Sequence, residues 1–224
     1  MLKSTSPRTG LARTVVPIIA IAAVALILGA ARPAATAPPT GLPACEVADR
    51  PAPNSDYSQW NETLLDPALT LGRGYKPPDL RRATIAGQPV TLRDFVIGPL
   101  RSLVEAAASE GAEIHITSSY RSFADQERLV AANPDSEDEV ARTGHSEHQL
   151  GTAVDLGGNR DWLRLNASRF GFVLSYPADR SPHWTCYREE PWHFRYFGPE
   201  RAQLIEKSGL SPREWLWAEQ AGSR

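Results

Sequence analysis

The apolar pattern begins with an almost unbroken run from Val15 to Ala31, preceded by Lys3, Arg8 and Arg13. This is the charged-then-apolar layout of a signal peptide or of a single-pass membrane anchor. The run is short for a bilayer span, and Pro17 trims it further. From Arg32 to about Pro53, Pro and Ala dominate without apolar periodicity, which predicts a semi-rigid linker, bounded here as 38–55. Tyr57–Leu71 brings Trp60, Leu64, Leu65 and Leu69 at helical or irregular spacing among prolines and glycines, a wrapping loop. The prolines of Tyr75–Leu80 exclude a helix. Thr84–Leu92 alternates weakly about a Gly-Gln-Pro turn and predicts a hairpin.

Helical spacing then becomes clear. Pro99 fits a first helical position, Leu100, Leu103, Val104 and Ala107 follow at helical intervals, and Gly111 is a stop signal. Glu113–Ser118 alternates Ile114 and Ile116 against polar neighbours, a half-buried strand with His115 facing away from the isoleucines. Ser122 and Asp125 form a capping pair for a helix from Phe123 to about Ala132. Arg121 and Gln126 then flank the helix start and should point to one spot. Asn133–Gly144 is an acidic connector. A short strand at Thr152–Leu156 puts Val154 in the core and Ala153 with Asp155 on the opposite face. Asn159–Arg169 has helical spacing, Phe172–Leu174 reads as a strand, and Pro199–Ser208 as a helix stopped by Gly209. A capping box at Ser211–Glu214 opens a last helix, packed down by Trp215 and Trp217. These elements predict one α+β domain over 56–218, a small, mostly antiparallel sheet flanked by helices, with 219–224 as a tail.

Charge and cysteines narrow the setting. Residues 1–37 hold four basic side chains and no acidic ones, so the remainder carries 20 basic against 26 acidic residues, a net of −6. Such a domain has no electrostatic footprint for nucleic acid and gains nothing from an anionic membrane surface. Ala35-Thr36-Ala37 has the small residues of a cleavage site, but Pro38 is a poor neighbour for one, so release and anchoring by residues 15–31 both stay open. Cys45 and Cys186 both lie beyond the export segment, where a disulfide is the expectation.

The candidate chemistry lies in two stretches, Ser146–Asp155 and Glu190–His193. Two His and one carboxylate suffice to hold a catalytic Zn2+ with an open position, and a further carboxylate beside it can act as proton acceptor. His148, Asp155 and His193 are read as the ligands and Glu190 as the base. Glu190 and His193 are three apart, so an ideal strand would send them to opposite faces; Pro191 between them argues for a distorted segment. Gly151 lets the loop carrying His148 fold back. Either stretch alone would be an unremarkable coincidence.

Together, Ser146, His148, Gly151, Ala153 and Asp155, followed by Glu190, Trp192 and His193, resemble the VanY-type zinc D-alanyl-D-alanine carboxypeptidases over roughly Tyr75 to Gly198. The resemblance implies a hedgehog-like D-Ala-D-Ala metallopeptidase fold with a zinc cleft on one side of the sheet. It implies an extracytoplasmic enzyme acting on peptidoglycan stem peptides. It also places Arg121 at the oxyanion or the substrate carboxylate, a position where spacing alone leaves a solvated charge equally acceptable. Ser146 and Gln126 are expected to bind the peptide. Rivals with the same residues are an L,D-carboxypeptidase, a peptidoglycan endopeptidase, and a non-catalytic wall-binding module, which the intact Glu190 disfavours. A structural zinc domain would need a fourth ligand, for which His183 or His145 would serve.

Overall fold

The computed structural model describes residues 37–222. The apolar run Val15–Ala31 lies outside them, and among the described residues no helix is long and apolar enough to cross a membrane. In chain order the elements are β1 (Arg50–Pro51), β2 (Leu69–Thr70), β3 (Leu80–Ile85), β4 (Gln88–Arg93), α1 (Asp94–Ser109), β5 (Ile114–Ser118), α2 (Phe123–Ala132), β6 (Ala153–Gly158), α3 (Arg160–Asn166), β7 (Phe172–Leu174), β8 (His193–Tyr196), α4 (Pro199–Ser208) and α5 (Pro212–Gly222).

The central sheet has the order β5-β6-β8-β7 and every pairing in it is antiparallel. Alternation along its strands separates two faces. Val154 and Leu156 of β6 and Phe194 of β8 join the main core with Leu100, Leu103 and Ala107 of α1. Asp155, His193 and Arg195 occupy the other face. A second apolar cluster, including Phe197, Ile205 and Leu216, fastens α4 and α5 to the body.

The hairpin is longer than its alternation suggested: β3 pairs with β4 from Leu80↔Arg93 to Ile85↔Gln88. Its two-residue turn, Ala86-Gly87, has positive φ at both positions, the geometry that matches strand twist. The first long helix starts earlier than Pro99 implied. It begins at Asp94, so Pro99 sits inside and removes one i→i−4 bond. Gly98 precedes that proline without a Cβ to clash with its ring, which lets the helix continue. The capping box Ser122–Asp125 is present as expected, with the Asp125 amide donating to Ser122 Oγ at 3.2 Å.

The Pro/Ala-rich stretch 38–55 forms no helix, and it lies against the body. Arg50–Pro51 pairs in parallel with Leu69–Thr70, and Ala52 is buried. Arg213 donates to the Pro43 carbonyl at 3.0 Å, and a Cys45–Cys186 disulfide closes this arm onto the segment leading to Glu190.

Candidate metal centre

Register brings the first two candidate ligands together. Asp155 on β6 is the direct partner of His193 on β8, and Ser118 on β5 is the partner of Asp155 on its other side. Directly opposed residues share a face within side-chain reach, so Asp155 Oδ1 lies 3.2 Å from His193 Nδ1. His148 arrives from a different element. It sits on a 3-10 turn, Glu147–Leu150, that ends at Gly151 with φ 72°. A Cβ at Gly151 would stand 2.9 Å from Leu80 Cδ2 and 3.1 Å from Arg93 Cγ, so the turn folds back against the hairpin only with glycine there. His148 Nε2 then reaches Asp155 Oδ2 at 3.3 Å.

Both imidazoles are oriented from behind. His148 Nδ1 lies 2.8 Å from the Ser119 carbonyl, an acceptor that requires the proton on Nδ1 and leaves Nε2 facing Asp155. His193 Nε2 lies 3.1 Å from Glu147 Oε2, which leaves Nδ1 facing Asp155. The two rings stand edge to face, centroids 4.8 Å apart.

The distortion expected between Glu190 and His193 is a turn. The His193 amide donates to the Glu190 carbonyl at 3.1 Å, with Pro191 at the first corner. Three residues of separation across a turn bring both side chains to one side, and Glu190 Oε2 lies 3.6 Å from His193 Nδ1.

The donor set fits a cation. Ligand atoms of His148, Asp155 and His193 all lie within 4.8 Å of one another, and Asp155 Oδ1 is buried without a hydrogen-bond donor. Burial pulls His148 below its ordinary pKa, against the opposing effect of Asp155, and so favours the ligating form of the ring. Burial opposes the charge on Asp155, yet His148 and His193 outweigh it and hold the carboxyl far below the usual carboxylate range. Glu190 goes the other way. Burial, with Asp155 and Glu147 adding to it against the pull of His193, raises it to about 7. Neither spare histidine joins this cluster. His145 is buried between the Asp66 carbonyl and Asp49, and His183 stands edge-on to Trp184 with ring centroids 4.0 Å apart. The closed, four-ligand structural site therefore has no support from either.

These groups line a cavity of about 240 Å³ walled by Leu129, Val140, Tyr176, Tyr187 and Trp192, and it includes Ser146 and Arg121. Arg121 and Gln126 meet across the helix start as their spacing requires, Nη1 donating to Oε1 at 2.8 Å. Gln126, expected at the substrate, is fully buried behind Arg121, and its amide also donates to the Ala141 carbonyl. Its place is that of a support for Arg121. Glu147, Ser175 and Arg195, to which sequence alone assigns no role, form a buried layer behind His193. One signal was available: Arg195 is two residues after His193, and strand alternation puts it on the same face.

Known proteins are similar to this chain in sequence and fold. The family model for VanY, described as D-alanyl-D-alanine carboxypeptidase, matches residues 90–199. A putative carboxypeptidase YodJ of Bacillus subtilis (strain 168) is 33% identical over 181 residues, 68% of this chain and 66% of the relative, so the chain spans just under two thirds of that protein's length. Among solved structures, VanYB in complex with D-alanine-D-alanine superposes with a TM-score of 0.62 at 30% identity, covering 71% of this chain and 99% of that one. A second VanY structure, a variant of a vancomycin-resistance D,D-pentapeptidase in complex with Zn(II), gives 0.60 at 29% identity, with 70% and 99% covered. The LdcB LD-carboxypeptidase gives 0.62 at 26% identity over 70% of this chain and 87% of that one. With these matches and the His-Asp-His cluster in place, the chain belongs to the VanY family of D-alanyl-D-alanine carboxypeptidases.

Proposed function

We propose that the protein is a zinc-dependent D-alanyl-D-alanine carboxypeptidase that removes the terminal D-alanine from peptidoglycan stem peptides. In this reading His148, Asp155 and His193 hold the metal, Glu190 is the general base, and Arg121 and Ser146 receive the peptide. The observation that carries it is the convergence of three ligand atoms, the buried Glu190 carboxylate and a guanidinium in one cavity. The N-terminal apolar run and the disulfide support action outside the cytosol, by a released or anchored protein.

Zinc, when bound there, supplies a Lewis acid that acidifies water and polarises a carbonyl. The chain's own residues do the rest. Glu190, raised to about 7 by burial, is matched to taking a proton from the attacking water near neutral pH and returning it to the leaving amine. Arg121 uses N–H donors on Gln126 and Ser118 Oγ (2.8 and 3.3 Å), and its remaining donors serve the substrate's carboxylate or the developing oxyanion. The aromatic and aliphatic walls keep other water out, which strengthens both interactions.

The likeness to an LD-carboxypeptidase favours one second reading, cleavage of tetrapeptides by the same residues. Purified protein incubated with defined pentapeptide and tetrapeptide, with and without chelator, separates the two. D-Alanine released from the pentapeptide, and lost with chelator, is the expected result. Release from the tetrapeptide alone establishes the second reading, and release that persists in chelator removes the metal from the mechanism.

A further inference from the structure

We propose that Glu147 is a positioning residue for the metal site, fixing which ring nitrogen of His193 faces Asp155 and the cavity. This rests on the ligand reading above. The imidazole of His193 stands between carboxylates on opposite edges: Glu147 Oε2 at 3.1 Å from Nε2, and Asp155 Oδ1 at 3.2 Å from Nδ1. An acceptor at Nε2 requires a proton there, which leaves the Nδ1 lone pair to a cation. The same acceptor increases the ring's basicity as a ligand.

Glu147 is itself held from two further sides. Ser175 Oγ donates to Oε2 at 2.6 Å and Arg195 Nη1 to Oε1 at 2.9 Å. Arg195 is fully buried, and its Nη2 donates to the carbonyls of Trp60 at 3.0 Å and Thr63 at 2.8 Å. A rigid relay thus runs from the wrapping segment, through Arg195 and Glu147, to His193. Both oxygens of Glu147 are occupied by donors, so it is not a second proton acceptor, although it borders the cavity. Stability alone is a weak reason for the cluster, because a buried ion pair can often be replaced by apolar side chains without loss. What apolar side chains cannot do is select the tautomer of His193.

Glu147→Gln keeps the side-chain shape, removes the charge and leaves a single carbonyl acceptor for three donors. Competition with a chromophoric chelator should show zinc affinity falling about 10- to 100-fold, while circular dichroism and the disulfide stay unchanged. In zinc-loaded wild type, long-range 1H–15N NMR should show His193 ligating through Nδ1 with its proton on Nε2, and His148 the reverse. A folded Glu147→Gln variant with zinc affinity within twofold of wild type overturns the proposal, and so does ligation by His193 through Nε2. If that variant does not fold, the wild-type spectrum decides, together with Ser175→Ala, which should weaken zinc binding several-fold in a folded protein; unchanged affinity there also counts against Glu147. Failure of the ligand reading looks different: wild type takes up no zinc, or His193→Ala keeps a full complement.

Discussion

Asp155 and Glu190 flank the same nitrogen of His193, at 3.2 and 3.6 Å, yet their surroundings pull them apart. Asp155 is held far below the usual carboxylate range by the two imidazoles, whereas Glu190 is lifted to about 7 by burial against the pull of His193. A pair of carboxylates pushed in opposite directions is the signature of divided roles. Glu190→Gln should therefore retain zinc while turnover falls by about 10²–10⁴-fold, the scale for losing a general base. Asp155→Asn should lose zinc itself. Metal content and turnover measured on both variants check the division; a Glu190→Gln protein that is metal-free, or that turns over normally, contradicts it. The types of these residues were legible from two short motifs. Glu147 was not, because an acidic residue beside a ligand looks like any surface charge until burial and its three donors are seen.

At the scale of elements, the site depends on one turn and one register. Gly151 holds φ 72° where the 3-10 turn meets the hairpin. Gly151→Ala should cost about 1–2 kcal/mol for the left-handed conformation alone, and more if Leu80 and Arg93 cannot yield. Denaturant unfolding should show that loss, and zinc affinity should fall with it because His148 rides on the turn. A variant as stable and as tight for zinc as wild type would mean the turn is not under this constraint. Ser122→Ala should cost about 0.5–2 kcal/mol by removing the cap of α2, and would loosen Arg121 just before it. Capping and strand alternation were readable locally. The true start of α1 was not, since a proline that looks like a first position is tolerated inside a helix when glycine precedes it.

Across the whole molecule, the segment that delivers Glu190 is tied down from several directions. Cys186 is bonded to Cys45, Arg180 forms a doubly bonded ion pair with Glu214 of α5, and Arg213 donates to the Trp184 carbonyl at 3.0 Å. Replacing both cysteines by serine should lower stability by up to about 4–5 kcal/mol for so long a loop, read as a fall in unfolding midpoint. No change in the midpoint would show that the ion pairs suffice. Burial raises Glu214, but Arg180 and Ser211 outweigh it and hold the carboxyl below its ordinary value of 4.5. A depressed folded-state value contributes stability above pH 4.5 that is lost as pH falls through the lowered value. Acid should thus destabilise the wild type in that window, and Glu214→Gln should flatten the dependence. An identical pH profile in the variant would place the acid sensitivity elsewhere.

Local chemistry determined much of this protein in advance: the candidate ligand and base residue types, the caps, the strand faces, and the pairing of Arg121 with Gln126, because each depends on residues a few positions apart. Tertiary structure decided what depends on distant segments meeting. Only the β6–β8 register sets Asp155 opposite His193, and only the turn at Pro191 brings Glu190 to the same side. Only the fold places Glu147 behind the imidazole, 46 residues in sequence from His193 and 48 from Arg195, the groups it bonds. The physical reason is that a side chain's charge state and direction are set by what surrounds it once water is excluded, and those surroundings come from the whole chain.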